Sequence, residues 1–375
     1  MKVLSVFGTR PEAIKMLPLV KEMSQNKEII SVVCVTAQHR EMLDQVLDSF
    51  QVVPDYDLNL MKSKQTPTSI TADVLNALEK VMEQEKPELV LVHGDTTTSF
   101  AAALAAFYQK IPVGHVEAGL RTGDRYSPFP EEMNRNLTSR LATLHFAPTA
   151  VNVENLKIEN VRKYVYQTGN TVIDALRLNL REDYLFKNAE LNKIVEKKER
   201  IILFTAHRRE NMGQPLQQIF AAVSEIAEQF SDVQIVYPVH RNPVIMQLAE
   251  QCFSTTSNIH LVEPLEVMDM HNLMNCAELV LTDSGGIQEE APTLGKPVLV
   301  LRTETERPEA VSAGGVRVVG VETADIVKEV KLLLCDNNEY GKMSRATNPY
   351  GDGYASKRIC EAILEYFSDE GSVRG

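Results

Sequence analysis

Short runs of β-branched and other apolar residues recur along the whole chain, each followed by polar or glycine residues and then by a helical pattern. The first half carries six such runs, including KVLSVFG (2–8) and LVLVHGD (89–95), and the second half carries six more, including LVLTDSGG (279–286). Nearly continuous apolar strands that alternate with helices indicate parallel sheets covered on both faces. The pattern therefore predicts an α/β fold with two Rossmann-like domains.

The length of 375 residues also favours two domains over one. We place the boundary near Gly169, ahead of a polar, helix-prone segment, so that the domains span residues 1–169 and 170–354. A last helix is predicted from about residue 355, within the C-terminal segment 355–375. Its apolar face is formed by Ile359, Ile363 and Tyr366.

Charge and cysteine usage exclude several classes of function. The chain has 39 basic and 51 acidic residues, a net charge of −12, which argues against non-specific nucleic-acid binding but allows a local pocket for a small anion. The five cysteines lack metal-ligand spacing, so neither a metal site nor a disulfide framework is predicted. No apolar run reaches the length of a membrane span, and the five-residue apolar run near the N-terminus is too short for a secretory signal. We expect a cytoplasmic protein without a membrane partner.

Ligands of open α/β sheets bind beyond the carboxyl ends of the strands, so the residues after each strand are the informative ones. GTRPEAIK (8–15) follows the first strand and places Arg10 and Lys15 near a helix N-terminus, where an anion is favoured. The same residues are also typical of a plain capped helix with charges on its surface.

Three carboxylates are candidates in the first half. Asp95 comes directly after the third strand, in HGDTTTS (93–99). Glu117 ends an apolar strand, where a carboxylate is costly unless it is paired or functional. Glu131 and Glu132 stand at the predicted start of a helix. Asp95 is also typical of a residue that caps a helix. Glu131 and Glu132 are typical of acidic residues at a helix start, and this structural interpretation fits Glu132 better than Glu131.

The second half offers cations and backbone N–H groups after its strands. His207, Arg208 and Arg209 cluster at a helix start, and Ser284, Gly285 and Gly286 form a short loop suited to a phosphate. This loop is neither a P-loop nor GxGxxG, so no dinucleotide cofactor is predicted. The remaining candidates are His240 after the second strand, Glu290 as an acceptor for ribose hydroxyls, and Arg307 after the fifth strand. We expect the carboxylates of the first half to face this phosphate site across the interdomain cleft.

Taken in order, these segments resemble the bacterial, non-hydrolysing UDP-N-acetylglucosamine 2-epimerases. The similarity runs from residue 8 to the end of the second predicted sheet and rests on GTRPEAIK, HGDTTTS, HVEAGLRTGD, PEEMNR, HRREN, TDSGGIQEEA and TERPEA. The resemblance implies a GT-B-like fold whose C-terminal helix crosses back to the first domain, and a homodimer. It also implies a cofactor-independent exchange of UDP-N-acetylglucosamine with UDP-N-acetylmannosamine, through UDP elimination to 2-acetamidoglucal and re-addition, for a cell-surface polysaccharide.

The resemblance also implies roles for the site residues. Asp95, Glu117 and Glu131 become the acid/base groups, although the sequence does not decide which serves which face of the sugar. The UDP-binding set becomes Arg10, Lys15, His207, Met270 near the uracil, Ser284, Gly285, Gly286, Glu290 and Arg307. A second, activating UDP-N-acetylglucosamine site is expected at Gln38, His39 and Glu41 of TAQHREML (36–43), with Arg209 and His240 as partners. Gln38 to Glu41 are also typical of an ordinary helix start.

Three alternatives remain at this stage. A glycosyltransferase of the same architecture would need an acceptor pocket, which the sequence alone neither shows nor excludes. A hydrolysing epimerase would release UDP and free N-acetylmannosamine. A UDP-sugar-binding regulator would leave three convergent carboxylates without a chemical purpose, which makes it the least favoured.

Overall fold

The chain folds into two units, each centred on one parallel β-sheet. The structure, a computed structural model, describes residues 1–36, 40–60, 62 and 65–373, with only the backbone for residues 40–42 and 370–373. Unit 1 comprises Met1–Leu178 and Tyr350–Gly375, and unit 2 comprises Asn179–Pro349. The predicted α/β class, with two Rossmann-like units, is confirmed.

Unit 1 alternates strands and helices along its whole length. Its elements are β1 Lys2–Phe7, α1 Arg10–Gln25, β2 Ile30–Val35, α2 Arg40–Phe50, β3 Tyr56–Asp57, α3 Pro67–Glu85, β4 Leu89–His93, α4 Thr97–Tyr108, β5 Val113–Val116, α5 Glu131–Leu141, β6 Leu144–Ala147, α6 Ala150–Ile158, β7 Val165–Gln167 and α7 Thr171–Asn179. The sheet order is β3-β2-β1-β4-β5-β6-β7, and all its pairs are parallel. β4 is buried at every residue, as its unbroken apolar sequence predicts.

Unit 2 repeats this pattern with a sheet of six strands. Its elements are α8 Ala189–Glu196, β8 Arg200–Thr205, a 3₁₀ turn Arg209–Asn211, α9 Gln214–Gln229, β9 Val233–Pro238, α10 Pro243–Phe253, β10 Ile259–Val262, α11 Val267–Cys276, β11 Leu279–Thr282, α12 Gly285–Glu290, a 3₁₀ turn Ala291–Leu294, β12 Val298–Val300, α13 Pro308–Ala313, β13 Val316–Val318, α14 Thr323–Cys335 and α15 Asn337–Ser344. The strand order is β10-β9-β8-β11-β12-β13. In both units the order reverses beside the first strand, the point where open α/β sheets bind ligands.

The last helix, α16 Ala355–Val373, belongs to unit 1 and packs on α1. Its predicted apolar face of Ile359, Ile363 and Tyr366 is buried. Unit 1 extends past the boundary predicted near Gly169 because α7 also holds α16. The buried carboxylate of Asp174 accepts the backbone N–H groups of Ala355 at 3.1 Å and Ser356 at 2.7 Å.

One short strand escapes the sequence pattern. β3 has only two residues, too few to give a periodic signal, and it extends the first sheet beyond β2.

In the part of the chain that the structure describes, no helix is both long enough and apolar enough to cross a bilayer.

Candidate active site

The loop between β1 and α1 is built on a buried carboxylate. Glu12, 2% exposed, accepts the backbone N–H groups of Gly8 at 3.1 Å and Thr9 at 2.8 Å, and the Thr9 side chain caps α1 in return. Only glycine fits at position 8, because a Cβ there would lie 2.0 Å from the Thr36 hydroxyl. The loop therefore holds a fixed shape at the start of α1, whose first residue is Arg10.

The same carboxylate joins this loop to the next one in the sheet. Thr96 and Ser99 donate their hydroxyls to Glu12 Oε1 at 2.7 and 2.9 Å. The side chain that caps α4 is Thr96, which accepts the Ser99 N–H at 3.0 Å. Asp95 therefore does not cap the helix, and its carboxylate is available for another role.

Glu117 follows β5 directly and lies beside Lys15 of α1. The Lys15 ammonium forms an ion pair with Glu117 Oε2, and His93 Nε2 lies 3.4 Å from the same oxygen. Burial of this carboxyl opposes its ionisation, but the interactions with the Lys15 ammonium and the His93 ring outweigh the burial and hold the pKa of Glu117 well below its ordinary value. The strand end therefore presents an ionised carboxylate whose partner is a lysine that the sequence also selected.

The backbone of Glu117 is unusual as well. Its φ of 61° lies in the left-handed region, which non-glycine residues rarely adopt and which costs about 1 kcal/mol or more. Such conformations are concentrated at functional sites, where the surrounding contacts hold them in place.

Helix α5 holds Asp95 from the other side. Arg135 forms ion pairs with Asp95 and, at 3.1 Å, with Glu132, while Asn134 donates its side-chain amide to the Asp95 carbonyl at 3.0 Å. Glu131 begins the same helix, one turn before Arg135. Within the described residues, no side chain forms an ion pair or hydrogen bond with the Glu131 carboxylate.

Glu132 has a larger role than that of an acidic residue at a helix start. It is 2% exposed, pairs with Arg135, and accepts the backbone N–H groups of Thr122 at 3.1 Å and Gly123 at 3.2 Å. It therefore holds the loop that connects Glu117 to α5. The sequence pattern set Glu132 apart from Glu131 only as a residue typical of a helix start, and it gave no sign of these contacts.

In unit 2, a second buried carboxylate organises the loop after β8. Asp283 Oδ2 accepts the backbone N–H groups of His207 and Arg208, each at 2.8 Å, and the side-chain amide of Asn211 at 3.1 Å. The His207 ring lies 3.2 Å from Asp283 Oδ1 and stacks on His240 with a centroid separation of 5.6 Å and an interplanar angle of 8°. The structure thus brings together two histidines that the sequence placed after separate strands.

Two guanidinium groups lie at the start of α12. Nitrogens of Arg208 and Arg307 lie 3.6 and 3.8 Å from the position a Cβ would take on Gly285. Arg307 is held there by an ion pair with the buried Glu289. Cations and backbone N–H groups are therefore grouped where the sequence predicted a phosphate site.

The remaining predicted residues are less tightly organised. Glu290 lies 3.7 Å from His271 Nε2, and Met270 is a half-buried residue of α11. Burial is the main cause that lowers the pKa of His207, and Arg209 is exposed in the 3₁₀ turn. Gln38, His39 and the Glu41 side chain lie outside the described residues.

Among the residues that the structure describes, no group of three or more His, Cys, Asp or Glu side chains is arranged to hold a metal ion. Sequence reasoning missed Glu12, Glu132 and Asp283 as organising residues. The Thr9-x-x-Glu12 spacing of a capping box is a sequence signal for the local contacts of Glu12. The hydroxyls of Thr96 and Ser99 on Glu12, and the backbone N–H groups on Asp283, come from distant parts of the chain and leave no such signal.

Two parallel sheets with ionisable groups grouped after their strands define a GT-B-like α/β protein. The chain belongs to the UDP-N-acetylglucosamine 2-epimerase family, which it matches over residues 21–364. The UDP-N-acetylglucosamine 2-epimerase of Bacillus subtilis is 55% identical over 98% of this chain and 96% of its own length. The resemblance read from the motifs is confirmed.

Solved structures agree with this assignment. A crystal structure of a UDP-N-acetylglucosamine 2-epimerase is 52% identical, with a TM-score of 0.91, and the match covers 98% of this chain and 96% of that chain. The UDP-GlcNAc 2-epimerase of Neisseria meningitidis, bound to UDP-GlcNAc, is 51% identical with a TM-score of 0.85, covering 97% of this chain and all of that one.

Proposed function

We propose that the protein interconverts UDP-N-acetylglucosamine and UDP-N-acetylmannosamine by inverting carbon 2, without a cofactor and without releasing free sugar. The observation that carries the proposal is the grouping of carboxylates in unit 1. Asp95 and Glu117 follow adjacent strands, and Arg135 ties Asp95 to the helix that Glu131 begins. The names of the relatives and the UDP-GlcNAc in the Neisseria meningitidis structure support the same substrate.

The chemistry explains the need for several carboxylates. Carbon 2 has no adjacent carbonyl, so its hydrogen is a poor acid. In the proposed reaction a base removes that proton, the C2–H electron pair forms the C1–C2 double bond, and the C1–O bond breaks with its electrons leaving on UDP. The products of this step are UDP and 2-acetamidoglucal. Re-addition protonates carbon 2 on the opposite face while the diphosphate oxygen attacks carbon 1, so two faces need acid/base groups.

The three carboxylates differ in their surroundings, as expected for groups with separate acid and base roles. Glu117 is ionised beside Lys15, Asp95 is paired with Arg135, and Glu131 has no partner among the described residues. An ion pair favours the ionised form of a carboxyl group, so the two paired carboxylates differ chemically from one without a counter-ion.

Unit 2 provides the groups that a departing diphosphate requires. The side chains of His207 and Arg307 supply donors, Ser284 adds its hydroxyl, and Gly285 and Gly286 supply backbone N–H groups at the start of α12. By the family resemblance, Arg10 joins the diphosphate site, Glu290 binds the ribose and Met270 lies near the uracil. These assignments are part of the proposal.

The proposal extends to assembly and regulation. The resemblance supports a homodimer, a supply of product for a cell-surface polysaccharide, and a second UDP-N-acetylglucosamine site that activates the enzyme. The stacking of His207 on His240 gives this second site a physical route to the first, because a ligand that contacts one ring also affects the other. Analytical ultracentrifugation tests the dimer, and initial rates against substrate concentration test the activation.

Incubation of the purified protein with UDP-N-acetylglucosamine alone, followed by proton NMR, tests the reaction. The expected result is an equilibrium mixture of the two UDP-sugars that is also reached from UDP-N-acetylmannosamine. Free N-acetylmannosamine with an equal amount of UDP would support the hydrolysing alternative. An unchanged substrate that turns over only when an acceptor is added would support a glycosyltransferase.

The site assignment has its own test. Asp95→Asn, Glu117→Gln and Glu131→Gln should each lose turnover while keeping UDP affinity within about tenfold, roughly 1.4 kcal/mol. Titration calorimetry with UDP measures the affinity and circular dichroism checks the fold. Full turnover in any one variant would remove that residue from the acid/base set.

A further inference from the structure

Asn170 is a buried residue between β7 and α7, and hydrogen bonds from its backbone and its side chain fix its position. Its backbone N–H donates to the Tyr350 carbonyl at 2.7 Å, and its side-chain Oδ1 accepts the Val172 N–H at 3.1 Å. Its side-chain Nδ2 lies 3.2 Å from Glu117 Oε2. The residue thus connects the turn before α7 to the carboxylate after β5.

These contacts settle the orientation of the Asn170 amide. Because Oδ1 accepts the Val172 N–H, the other end of the amide is the NH₂ group, which can only donate. A donor aimed at a carboxylate oxygen forms a charge-assisted hydrogen bond, which is stronger than a neutral one. The contact therefore favours the ionised form of Glu117.

The contacts of Glu117 are gathered on one of its two oxygens. Its Oε2 atom contacts Lys15 Nζ, Asn170 Nδ2 and His93 Nε2. The other oxygen, Oε1, lies on the side of Gly94, 4.0 Å from the position of a Cβ on that glycine, next to Asp95. The carboxylate is therefore held by its Oε2 atom, while Oε1 lies beside the Gly94 backbone without any of these three contacts.

The turn that carries Asn170 is itself held by the returning chain. Gly351 has a φ of 121°, and a Cβ there would lie 3.2 Å from the Gly169 Cα. The two backbones are in contact, and the hydrogen bond from Asn170 to Tyr350 lies beside this contact. The Asn170 donor thus has a rigid support, which the left-handed backbone of Glu117 requires.

The geometry points to Asn170 as a positioning residue for Glu117, holding Oε2 so that Oε1 is the oxygen presented to the sugar. This inference rests on the proposed function, since it assigns a role relative to the acid/base residue Glu117. It adds an amide donor from the start of α7 to the groups that contact the Glu117 carboxylate.

The test separates the hydrogen bond that Asn170 donates to Glu117 from the one that Asn170 accepts at the start of α7. Serine and aspartate cap helices about as well as asparagine, but neither can donate the Asn170 Nδ2 hydrogen bond to Glu117. Asn170→Ser should keep the melting temperature within about 3 °C and lower kcat by about 10- to 100-fold, as expected for a lost bond to a charged group. Asn188→Ser is the matched control, because Asn188 caps α8 through the same contact to the N–H two residues on, at 2.8 Å.

The pH profile distinguishes positioning from a structural role. Besides Asn170, the groups that face Glu117 are Lys15 from α1 and His93 from β4. Loss of the donor should move the acidic limb of the kcat profile upward by about one pH unit, and Asn170→Asp, which places a second carboxylate there, should move it further. Asn188→Ser should have the same kcat and the same acidic limb of the pH profile as the wild type.

Two outcomes would overturn the inference. The first is a wild-type kcat and pH profile in both Asn170 variants. The second is an unchanged titration of the Glu117 carboxyl in Asn170→Ser, followed by ¹³C NMR and assigned by its loss in Glu117→Gln. The NMR measurement does not depend on turnover, so a wild-type protein that fails to epimerise would refute the proposed function and leave this test intact. If Asn170→Ser does not fold, Asn170→Asp carries the same comparison.

Discussion

Mild acid is expected to destabilise unit 1, because its sheet buries two histidine rings in their neutral form. His115 of β5 is completely inaccessible, and burial lowers its pKa to about 3. Burial likewise lowers the pKa of His145 in β6 to about 4. In the unfolded chain both rings titrate near pH 6.5, so the unfolded state binds more protons below that pH. Stability is therefore complete above about pH 6.5 and falls as the pH drops towards the folded pKa values.

The size of the effect follows from these pKa values. At pH 5, about 1.5 pH units below the unfolded pKa, each ring costs about 2 kcal/mol relative to pH 7.5. The two rings together should cost about 4 kcal/mol, a large part of the stability of a typical domain. This loss is also a functional matter, because His115 Nε2 lies 2.7 Å from the carbonyl of Gly94, the residue before Asp95.

Urea unfolding followed by circular dichroism at pH 7.5, 6 and 5 measures the loss. His115→Gln keeps an amide donor for the Gly94 carbonyl but does not titrate, so it should remove about 2 kcal/mol of the difference between pH 7.5 and 5. His240→Gln, at an exposed ring, is the control and should keep the wild-type dependence. If His115→Gln shows the same pH dependence as the wild type, the buried neutral ring is not its cause.

Two further predictions concern the organising residues. Arg135→Met should lower kcat by about 100-fold and keep UDP affinity within about threefold, because Asp95 and Glu132 lose their shared cation. Steady-state kinetics measure kcat, and calorimetry measures the affinity for UDP. An unchanged kcat would show that this cation is not needed. Asp283→Ala should lower the stability of unit 2 by about 3 kcal/mol and weaken UDP binding about tenfold, because the N–H groups of His207 and Arg208 lose their acceptor. Thermal unfolding measures the stability, and calorimetry measures the affinity for UDP. Wild-type UDP affinity would exclude a role for this turn in binding.

The strands and the loops that follow them could be predicted from the sequence, because both are local signals. An unbroken apolar run such as that of β4 shows a strand buried on both faces, and its end marks where Asp95 must lie. Lys15 and Glu117 were each selected as strand-end residues, and the structure pairs them.

The supports of the site could not be predicted in the same way. Glu12 accepts hydroxyls from Thr96 and Ser99, and Asp283 accepts backbone N–H groups from residues about 75 positions away, contacts that leave no trace in one sequence. Asn170 reaches Glu117 across 53 positions of the chain, a contact set by the order of strands and not by any motif. The left-handed backbone of Glu117 is likewise invisible, because glycine is the residue by which such a conformation is usually recognised.

Solvent exchange at carbon 2 tests whether the reaction proceeds through removal of the carbon 2 proton. The protein is incubated with UDP-N-acetylglucosamine in D₂O, without added metal or nicotinamide, and the products are followed by proton NMR. Removal of the carbon 2 proton by one carboxylate and its return from another group predicts UDP-N-acetylmannosamine carrying deuterium at carbon 2. Product formed with the original hydrogen retained at carbon 2 would contradict the account.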